Sequence, residues 1–407
     1  MREAYLIAIT LSLLTGCSPD EPTPRDIESI GFIEPEYIHV LSSNEHRVWS
    51  SQIADLDADG QAELLLLGHE NGRHAKACPL SSNPTSPCQS RDFLPPGRDR
   101  HGCAVADLNG DTIGDLYCST GASRGLGDNP NELWLSEGPW QYRKVPSVWG
   151  APEVTARGRK ISFLNLNRDQ EPDLLTTAFG EREDQADNRS RLWRNTGAHF
   201  EPLELTGDET FAHRCHKVVD LNGDGLDDIV GCGGSEGLQV LINSGAESFK
   251  PQAIGSDRFY YFALDTAPLS GDVEALAAIG GRRGNMFIEV GELSSNGLFT
   301  HRQRLHCALP EEGVTATIYC SDLTFIDYNA DGISDLAVSR RRGWLLDEVV
   351  GDATDLILLG PTFTSALEIP STDDGASYQL LPWNNGLIQI NAGEGWSGSV
   401  RQIQPLN

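Results

Sequence analysis

An acidic loop between short apolar runs recurs along this sequence. In its clearest copy, oxygen-bearing side chains occupy loop positions 1, 3, 5 and 9, namely Asp220, Asn222, Asp224 and Asp228. This spacing lets one tight turn aim several oxygens at a point, which suits a hard cation such as Ca²⁺. The runs Val218-Val219 and Ile229-Val230 predict strands, so we expect the loop at the tip of a β-hairpin. The alternative interpretation is a hairpin turn built from Asx and Gly residues, with no metal.

The loop occurs in five clear copies, which begin at Asp55, Asp107, Asn165, Asp220 and Asp327. A second hairpin follows several of them, as in residues 191–200 after the third copy. Two hairpins per unit make a four-stranded sheet, and such sheets repeated about every 50 residues predict a β-propeller. The 42 Gly and 22 Pro residues agree with an all-β chain that is rich in turns.

Two further units complete the expected ring. A degenerate copy at residues 264–280 keeps the hairpin pattern but loses the ligand spacing, so no metal is expected there. A hairpin without the loop motif, at residues 380–391, supplies the seventh unit. The predicted fold is therefore an all-β, seven-bladed β-propeller. Residues 37–41 are expected to form the strand that closes the ring against the last blade, because an open propeller exposes sheet edges.

The loop, its step along the chain and the hairpin ending in Leu192-Trp193-Arg194-Asn195-Thr196-Gly197-Ala198-His199-Phe200 resemble the FG-GAP/VCBS repeats of seven-bladed propellers. That family includes the integrin α-subunit head and the propeller of cartilage acidic protein, and the resemblance covers residues 38–400. It implies up to five Ca²⁺ ions, each held in addition by a main-chain carbonyl at position 7. The implied side-chain ligands are Asp55, Asp57, Asp59 and Glu63; Asp107, Asn109, Asp111 and Asp115; Asn165, Asn167, Asp169 and Asp173; Asp220, Asn222, Asp224 and Asp228; and Asp327, Asn329, Asp331 and Asp335. Loop three has only two carboxylates, so it is expected to bind most weakly.

The first residues have the pattern of an export signal with a lipid attachment site. The apolar run from Ala4 to Leu14 is too short to span a bilayer but fits a secretory signal. The residues that follow, up to Cys17, resemble the bacterial lipobox, in which the cysteine is lipidated. The sequence predicts a signal peptide at residues 1–16, a lipidated Cys17 with a flexible tether at residues 17–37, and the propeller at residues 38–407. Ser18 resembles the residue of lipoproteins sorted outward, so we expect an exported protein anchored to the bacterial outer membrane, on its periplasmic face or on the cell surface.

Eight cysteines remain besides Cys17, an even number that suits disulfides in an exported protein. They fall into close pairs: Cys78 and Cys88, Cys103 and Cys118, Cys215 and Cys232, and Cys307 and Cys320. The second and third pairs take opposed positions in one hairpin register, which predicts disulfides within hairpins. Opposed pairs alternate between narrow and wide spacing, so one of these two is expected to need a bulge or a distorted hairpin end. The alternative is scattered, buried free thiols.

A net charge of −28 argues against a nucleic-acid partner, because phosphate binding needs excess Lys and Arg. Even so, cationic and aromatic residues gather a few positions before the loops, where each first strand is expected to start near the central axis. They are Arg47, Arg100, His101, Arg157, Arg159, His213, Arg214, Arg258 and Tyr260. They predict an anion-binding mouth for a carboxylated glycan or an acidic peptide. The alternative is that they pair with acidic neighbours such as Asp99 and line a packed channel.

Motifs typical of catalysis, such as a nucleophile elbow, a zinc-protease helix or a phosphate loop, do not occur in the sequence. We therefore expect a binding protein and not an enzyme. The leading hypothesis is a monomeric, calcium-stabilised, exported lipoprotein of the adhesion type that recognises a protein or glycan ligand at the mouth and contacts the membrane through Cys17. The first alternative is a calcium-dependent polysaccharide lyase-like enzyme acting at the same mouth. The second is a structural spacer.

Overall fold

The structure is a computed structural model. It describes residues 22–33, 36–41, 48–68, 74–80, 90–96, 99–121, 130–145, 158–169, 171–178, 190–206, 211–212, 215–232, 237–245, 248–255, 259–270, 273–282, 285–309, 318–342, 353–370, 377–391 and 398–405. The predicted signal peptide and Cys17 lie outside these ranges. Within them, the structure contains no helix long and apolar enough to cross a membrane.

The described residues form seven antiparallel sheets, which are the blades of a propeller. Blade one contains β4 (Val48–Ala54), β5 (Glu63–Gly68), β6 (Ala75–Pro79) and β7 (Arg91–Leu94). Blade two contains β8 (Arg100–Ala106), β9 (Asp115–Thr120), β10 (Glu132–Gly138) and β11 (Gln141–Lys144). Blade three contains β12 (Gly158–Leu164), β13 (Asp173–Ala178), β14 (Arg191–Asn195) and β15 (Phe200–Leu205). Blade four contains β16 (His216–Val219), β17 (Asp228–Cys232), β18 (Leu238–Leu241) and β20 (Gln252–Ala253), and β19 (Ser248–Phe249) pairs in parallel with β15.

The last three blades include strands from both ends of the chain. Blade five contains β21 (Tyr260–Ser270), β22 (Val273–Arg282), β23 (Asn285–Ser294) and β24 (Phe299–His306). Blade six contains β25 (Ile318–Ile326), β26 (Asp335–Arg342), β27 (Asp355–Leu358) and β28 (Ser365–Ile369). Blade seven contains β29 (Ser377–Trp383), β30 (Gly386–Asn391), β31 (Gly398–Ile403) and β3 (Glu36–Leu41). The pairing of β3 with β31 confirms the predicted ring closure.

The first strand of each blade is the innermost one. These strands contact one another in the order β4, β8, β12, β16, β21, β25, β29 and back to β4, so they surround a central channel. The second strands β9 and β17 are buried along their whole length and β5 along all but its last residue, because both faces of each sheet pack against neighbouring blades. The outermost strand β11 is mostly exposed. This gradient of burial agrees with the apolar runs that follow each acidic loop in the sequence.

The segment predicted as a flexible tether is partly built into the propeller, which corrects that prediction. β1 (Pro24–Arg25) pairs in parallel with β24, and β2 (Glu28–Phe32) pairs in parallel with β28. Between them, Ile27 is fully buried in the core shared by blades five and six. Residues 24–32 therefore run along the outer edges of two neighbouring blades before the chain enters blade seven. The cause is non-local, since each short strand gains its hydrogen bonds from a strand far along the chain.

Three predicted cysteine pairs are disulfides in the structure. Cys103 and Cys118 face each other across β8 and β9 with a Cα–Cα distance of 4.0 Å. Cys215 and Cys232 lie 5.2 Å apart, at a position where the Cys232 N–H donates to the Cys215 carbonyl. Opposed residues in an antiparallel ladder alternate between a narrow and a wide spacing, and the two cysteine pairs take one spacing each. The ladder of Cys103 and Cys118 has its irregularity away from the cysteines, whereas the other ladder ends at its cysteine pair.

The remaining two cysteine pairs have different outcomes. Cys307 and Cys320 connect the end of blade five to the first strand of blade six, so this disulfide joins two blades rather than one hairpin. Cys78 is disulfide-bonded, and its predicted partner Cys88 lies outside the described residues. Disulfides are typical of an oxidising compartment, so the cysteine chemistry indicates an exported protein.

Candidate functional site

Each acidic loop is a tight turn organised by its first side chain. In loop one, Asp55 accepts hydrogen bonds from the Ala58 N–H at 2.8 Å and the Gly60 N–H at 3.0 Å, through its two carboxylate oxygens. Ala58 and Gly60 both have left-handed backbones, with φ of 61° and 82°. Glycine suits the second of these positions because it has no Cβ to clash there. These hydrogen bonds make the loop an Asx turn.

The position 9 aspartates hold four of the loops to their own blades. Asp228 is fully buried, and its two oxygens accept the Leu221 N–H at 2.9 Å and the Asn243 N–H at 2.6 Å. The equivalent acceptors are Asp115 for Leu108 and Ser136, Asp173 for Leu166 and Asn195, and Asp335 for Tyr328 and Gly360. Burial raises the pKa of Asp228 to about 6, although these hydrogen bonds lower it. Each of these carboxylates therefore connects its loop to the third strand of the blade or to a residue two positions beyond that strand.

Loop one has a different geometry because its position 9 residue is a glutamate. Glu63 accepts the Leu56 N–H at 2.8 Å through Oε2, and its longer side chain reaches towards the loop. Carboxylate oxygens of Asp55, Asp57 and Glu63 lie within 4.8 Å of one another, the one such group of three Asp, Glu, His or Cys side chains among the described residues. Burial raises the pKa of Glu63 to about 7, and the neighbouring carboxylates add to this effect. Crowded carboxylates are the donors that a hard divalent cation prefers, so these residues fit Ca²⁺.

Loops three and four contact each other through a residue that the sequence pattern had left unassigned. The Arg168 guanidinium donates to the Asp224 carbonyl and lies 3.5 Å from the Asp224 carboxylate. The Asn165 N–H donates to Asp227 at 2.6 Å. A protein cation therefore stands beside a predicted ligand of loop four, where it competes with a metal for the carboxylate.

The central channel is a second candidate site, lined by residues in or next to the first strands of the blades. It holds a cavity of about 450 Å³. Residues from all seven blades line it, including Ser51, Gly102, Lys160, Cys215, Phe262, Asp322 and Gln379. The volume falls in the range of small-molecule pockets.

Polar contacts between blades organise the channel wall. Lys160 donates to the His216 carbonyl at 2.7 Å, and the Ser162 hydroxyl lies 2.8 Å from the His216 Nε2. Gln379 accepts from Ser51 and donates back to it, which ties blade seven to blade one. Burial, with a contribution from Lys160, lowers the pKa of His216 well below its usual value, so this imidazole is neutral.

The structure places two of the predicted mouth residues inside the protein. Arg100 is 2% exposed and pairs with Glu132 of β10 at 2.8 Å, so its guanidinium lies within blade two and does not face the mouth. His101 lines the channel but is buried, with its ring nitrogens 2.9 Å from Asp99 and 3.1 Å from the Gly158 carbonyl. For both residues the structure agrees with the paired, packed alternative.

The other predicted mouth residues are less fully described. Tyr260 starts β21 and is 51% exposed, so its ring is accessible to a ligand. Arg159 lies in β12, where only its backbone is described. Arg47, Arg157, His213, Arg214 and Arg258 lie outside the described residues.

Sequence reasoning missed the charged residues of the channel wall. Lys160 and Asp322 were not selected, although each stands five positions before its loop, as Cys215 does. That shared offset was the signal that could have found them, because equivalent positions of the repeated first strands face the same axis.

Comparison with known proteins supports the fold. No protein-family model and no curated protein sequence matches the chain. The WD40 domain of Neurospora crassa Pan2 is similar in structure, with 11% identity and a TM-score of 0.50 over 92% of this chain and 97% of that one. A Dyadobacter fermentans protein of unknown function has 11% identity and a TM-score of 0.47, over 93% and 99% of the two chains. The chain is a seven-bladed β-propeller, a fold that commonly serves as a binding scaffold.

Proposed function

We propose that this protein is a calcium-stabilised, exported binding protein that recognises a protein or glycan ligand at the mouth of its propeller. One observation carries the proposal: residues from all seven blades line one channel with many polar groups, and the exposed Tyr260 lies on β21 two residues before Phe262, which lines that channel. A site assembled from seven blades can contact a large ligand at many points. Exposed aromatic rings stack on sugar and peptide groups, so Tyr260 suits either class of ligand.

The calcium part of the proposal rests on loop one. Asp55, Asp57 and Glu63 would hold the ion, and bound Ca²⁺ would neutralise carboxylates that otherwise repel one another. In the other four loops both oxygens of the position 9 carboxylate accept backbone N–H groups, whereas Glu63 uses one oxygen in this way, so we expect weaker binding in those four loops. Export follows from the sequence pattern and agrees with the disulfides, whereas lipid attachment at Cys17 rests on the sequence pattern alone.

Calcium binding can be tested by melting the protein in a chelator and in about 1 mM Ca²⁺. A ligand that binds only the native state raises its stability, so we expect a higher melting temperature with Ca²⁺. Asp57→Ala in loop one should remove most of the shift, whereas Asn167→Ala in loop three is the matched control. An identical melting temperature in both buffers would refute the calcium proposal and leave the Asx-turn interpretation.

Ligand recognition can be tested by capture on glycan arrays and by pull-down of envelope proteins, with and without Ca²⁺. Tyr260→Ala and Arg159→Ala should weaken capture, whereas Lys250→Ala, at an exposed position between β19 and β20, should not. Equal capture by all three variants would refute recognition at the mouth. Incubation with polyuronates tests the enzymatic alternative directly, because a lyase would release unsaturated products.

A further inference from the structure

The channel cavity contains one cation and one anion that have hydrogen-bonding capacity to spare. Lys160 lines the cavity, and its side chain is accessible to solvent. Its ammonium donates to the His216 carbonyl at 2.7 Å, which uses one of three N–H groups. Burial lowers the pKa of Lys160, while the Asp322 and Asp265 carboxylates act in the opposite direction. The ammonium is therefore partly desolvated but faces open volume.

Asp322 faces the same volume from blade six. One of its oxygens accepts the Leu380 N–H at 3.1 Å, and a carboxylate has about four acceptor positions. Burial raises the pKa of Asp322 to about 7, and the Lys160 charge lowers it. The two side chains interact electrostatically across the cavity, yet among the described residues they form no direct ion pair.

The neighbouring charges are already neutralised by protein partners. Lys217 pairs with Asp265 at 2.8 Å. The second oxygen of Asp265 accepts the Thr324 hydroxyl at 2.9 Å and the Phe325 N–H at 3.0 Å. Among the charged side chains that the structure describes, Lys160 and Asp322 therefore line the cavity without a counter-ion in direct contact.

We propose that the central channel binds a small zwitterion, whose carboxylate contacts Lys160 and whose ammonium contacts Asp322. The hydroxyl of Ser162, which also lines the cavity, would supply a neutral hydrogen bond between the two ends. This ligand would occupy the channel whose mouth is proposed to recognise a macromolecule, and its binding can be measured without that macromolecule.

The charge balance of the cavity sets the chemical class of the ligand. A simple carboxylate would neutralise Lys160 and leave Asp322 as a desolvated charge, and a simple amine would do the reverse. Burying an unpaired charge is costly, so a ligand that satisfies both groups is favoured over either fragment. The cavity of about 450 Å³ admits a molecule of amino-acid size.

The test is isothermal titration of the purified protein with a series of ω-amino acids, from glycine to 6-aminohexanoate, which increases the distance between the two charges. Acetate and propylamine, alone and mixed, are the fragment controls. We expect binding that is strongest at one chain length and at least about tenfold tighter than that of either fragment. Lys160→Met and Asp322→Asn should each weaken this binding by about tenfold or more, and Lys250→Met should not.

Two results would overturn the proposal. One is no heat of binding for any member of the series at about 10 mM, where even weak sites are filled. The other is binding that Lys160→Met and Asp322→Asn leave unchanged. Circular dichroism and melting curves of the variants confirm that they are folded before titration, and since Met and Asn have similar sizes to the residues they replace, both are expected to fold.

Discussion

The position 9 aspartates offer a sharp test of whether the acidic loops are primarily structural or primarily metal ligands. Asp228 is buried and accepts two backbone N–H groups, from Leu221 and Asn243. Asp228→Ala would leave both donors without a partner inside the protein. A buried unsatisfied donor costs about 1–3 kcal/mol, so the variant should lose about 2–5 kcal/mol of stability, and it should do so without calcium.

Asp224 of the same loop is the matched control. Asp224 accepts the Leu226 N–H at 2.8 Å, and its side chain is 34% exposed. Its replacement by alanine should therefore cost about 1 kcal/mol or less in a chelator, because water can reach the freed donor. In the presence of Ca²⁺, each of the two replacements also removes a predicted ligand, which changes the stability of both variants. The diagnostic comparison is therefore the one made in the absence of calcium.

The assay is urea unfolding at pH 8, where Asp228 is ionised, combined with native-state hydrogen exchange. Exchange adds local information because a large propeller need not unfold in one step. We expect the Leu221 and Asn243 amides to exchange faster in Asp228→Ala but not in Asp224→Ala. The reasoning is refuted if the two variants are equally stable in chelator, or if Asp228→Ala is destabilised only when Ca²⁺ is present.

Three other perturbations test separate parts of the structure. Ile27→Ala should cost about 2–4 kcal/mol of stability, because Ile27 is buried in the core. Ile30→Ala, at a position that is 52% exposed, should change stability by about 0.5 kcal/mol or less. Equal effects of the two variants in urea unfolding would restore the flexible-tether interpretation. Replacing both Cys307 and Cys320 by Ser should cost about 2–3 kcal/mol, since the disulfide closes a loop with a sequence separation of 13, and an unchanged unfolding midpoint would contradict this. Asp322→Asn should stabilise the protein above pH 7 by on the order of 2 kcal/mol and have little effect at pH 4, because the folded-state pKa is raised from 3.8 to about 7 despite the nearby Lys160. The wild type should therefore lose stability relative to the variant as pH rises from about 4 to 7, and a difference independent of pH would contradict the burial of this carboxylate.

The fold could be predicted from the sequence because its main signal is local and repeated. The acidic loop, the apolar run after it and the step of about 50 residues recur often enough to identify seven blades, including the degenerate fifth. The closing strand at Glu36–Leu41 was also predictable, since a ring must cover its last edge.

The parts that could not be predicted depend on partners far along the chain. Pro24–Arg25 and Glu28–Phe32 are too short to show a strand period, and they are strands only because β24 and β28 offer free edges. The sequence predicts Arg100 at the mouth, because its ion-pair partner Glu132 lies on the third strand of the blade, too far along the chain for the pattern to show it. The second hydrogen bond of Asp228 could not be predicted either, because its donor, the Asn243 N–H, belongs to another hairpin.

The path of the N-terminal segment has a consequence for the order of events during folding. Glu36–Leu41 pairs with Gly398–Ile403, so the ring cannot close until almost the whole chain has been made. Ile27 must likewise wait for blades five and six before it can be buried. Contacts of such high sequence separation slow folding, because the entropy of closing a long loop is lost before any contact compensates for it. The earliest residues to leave a ribosome or an export channel are thus among the last to reach their native positions, and until then β3 and the last blade each present an unpaired edge.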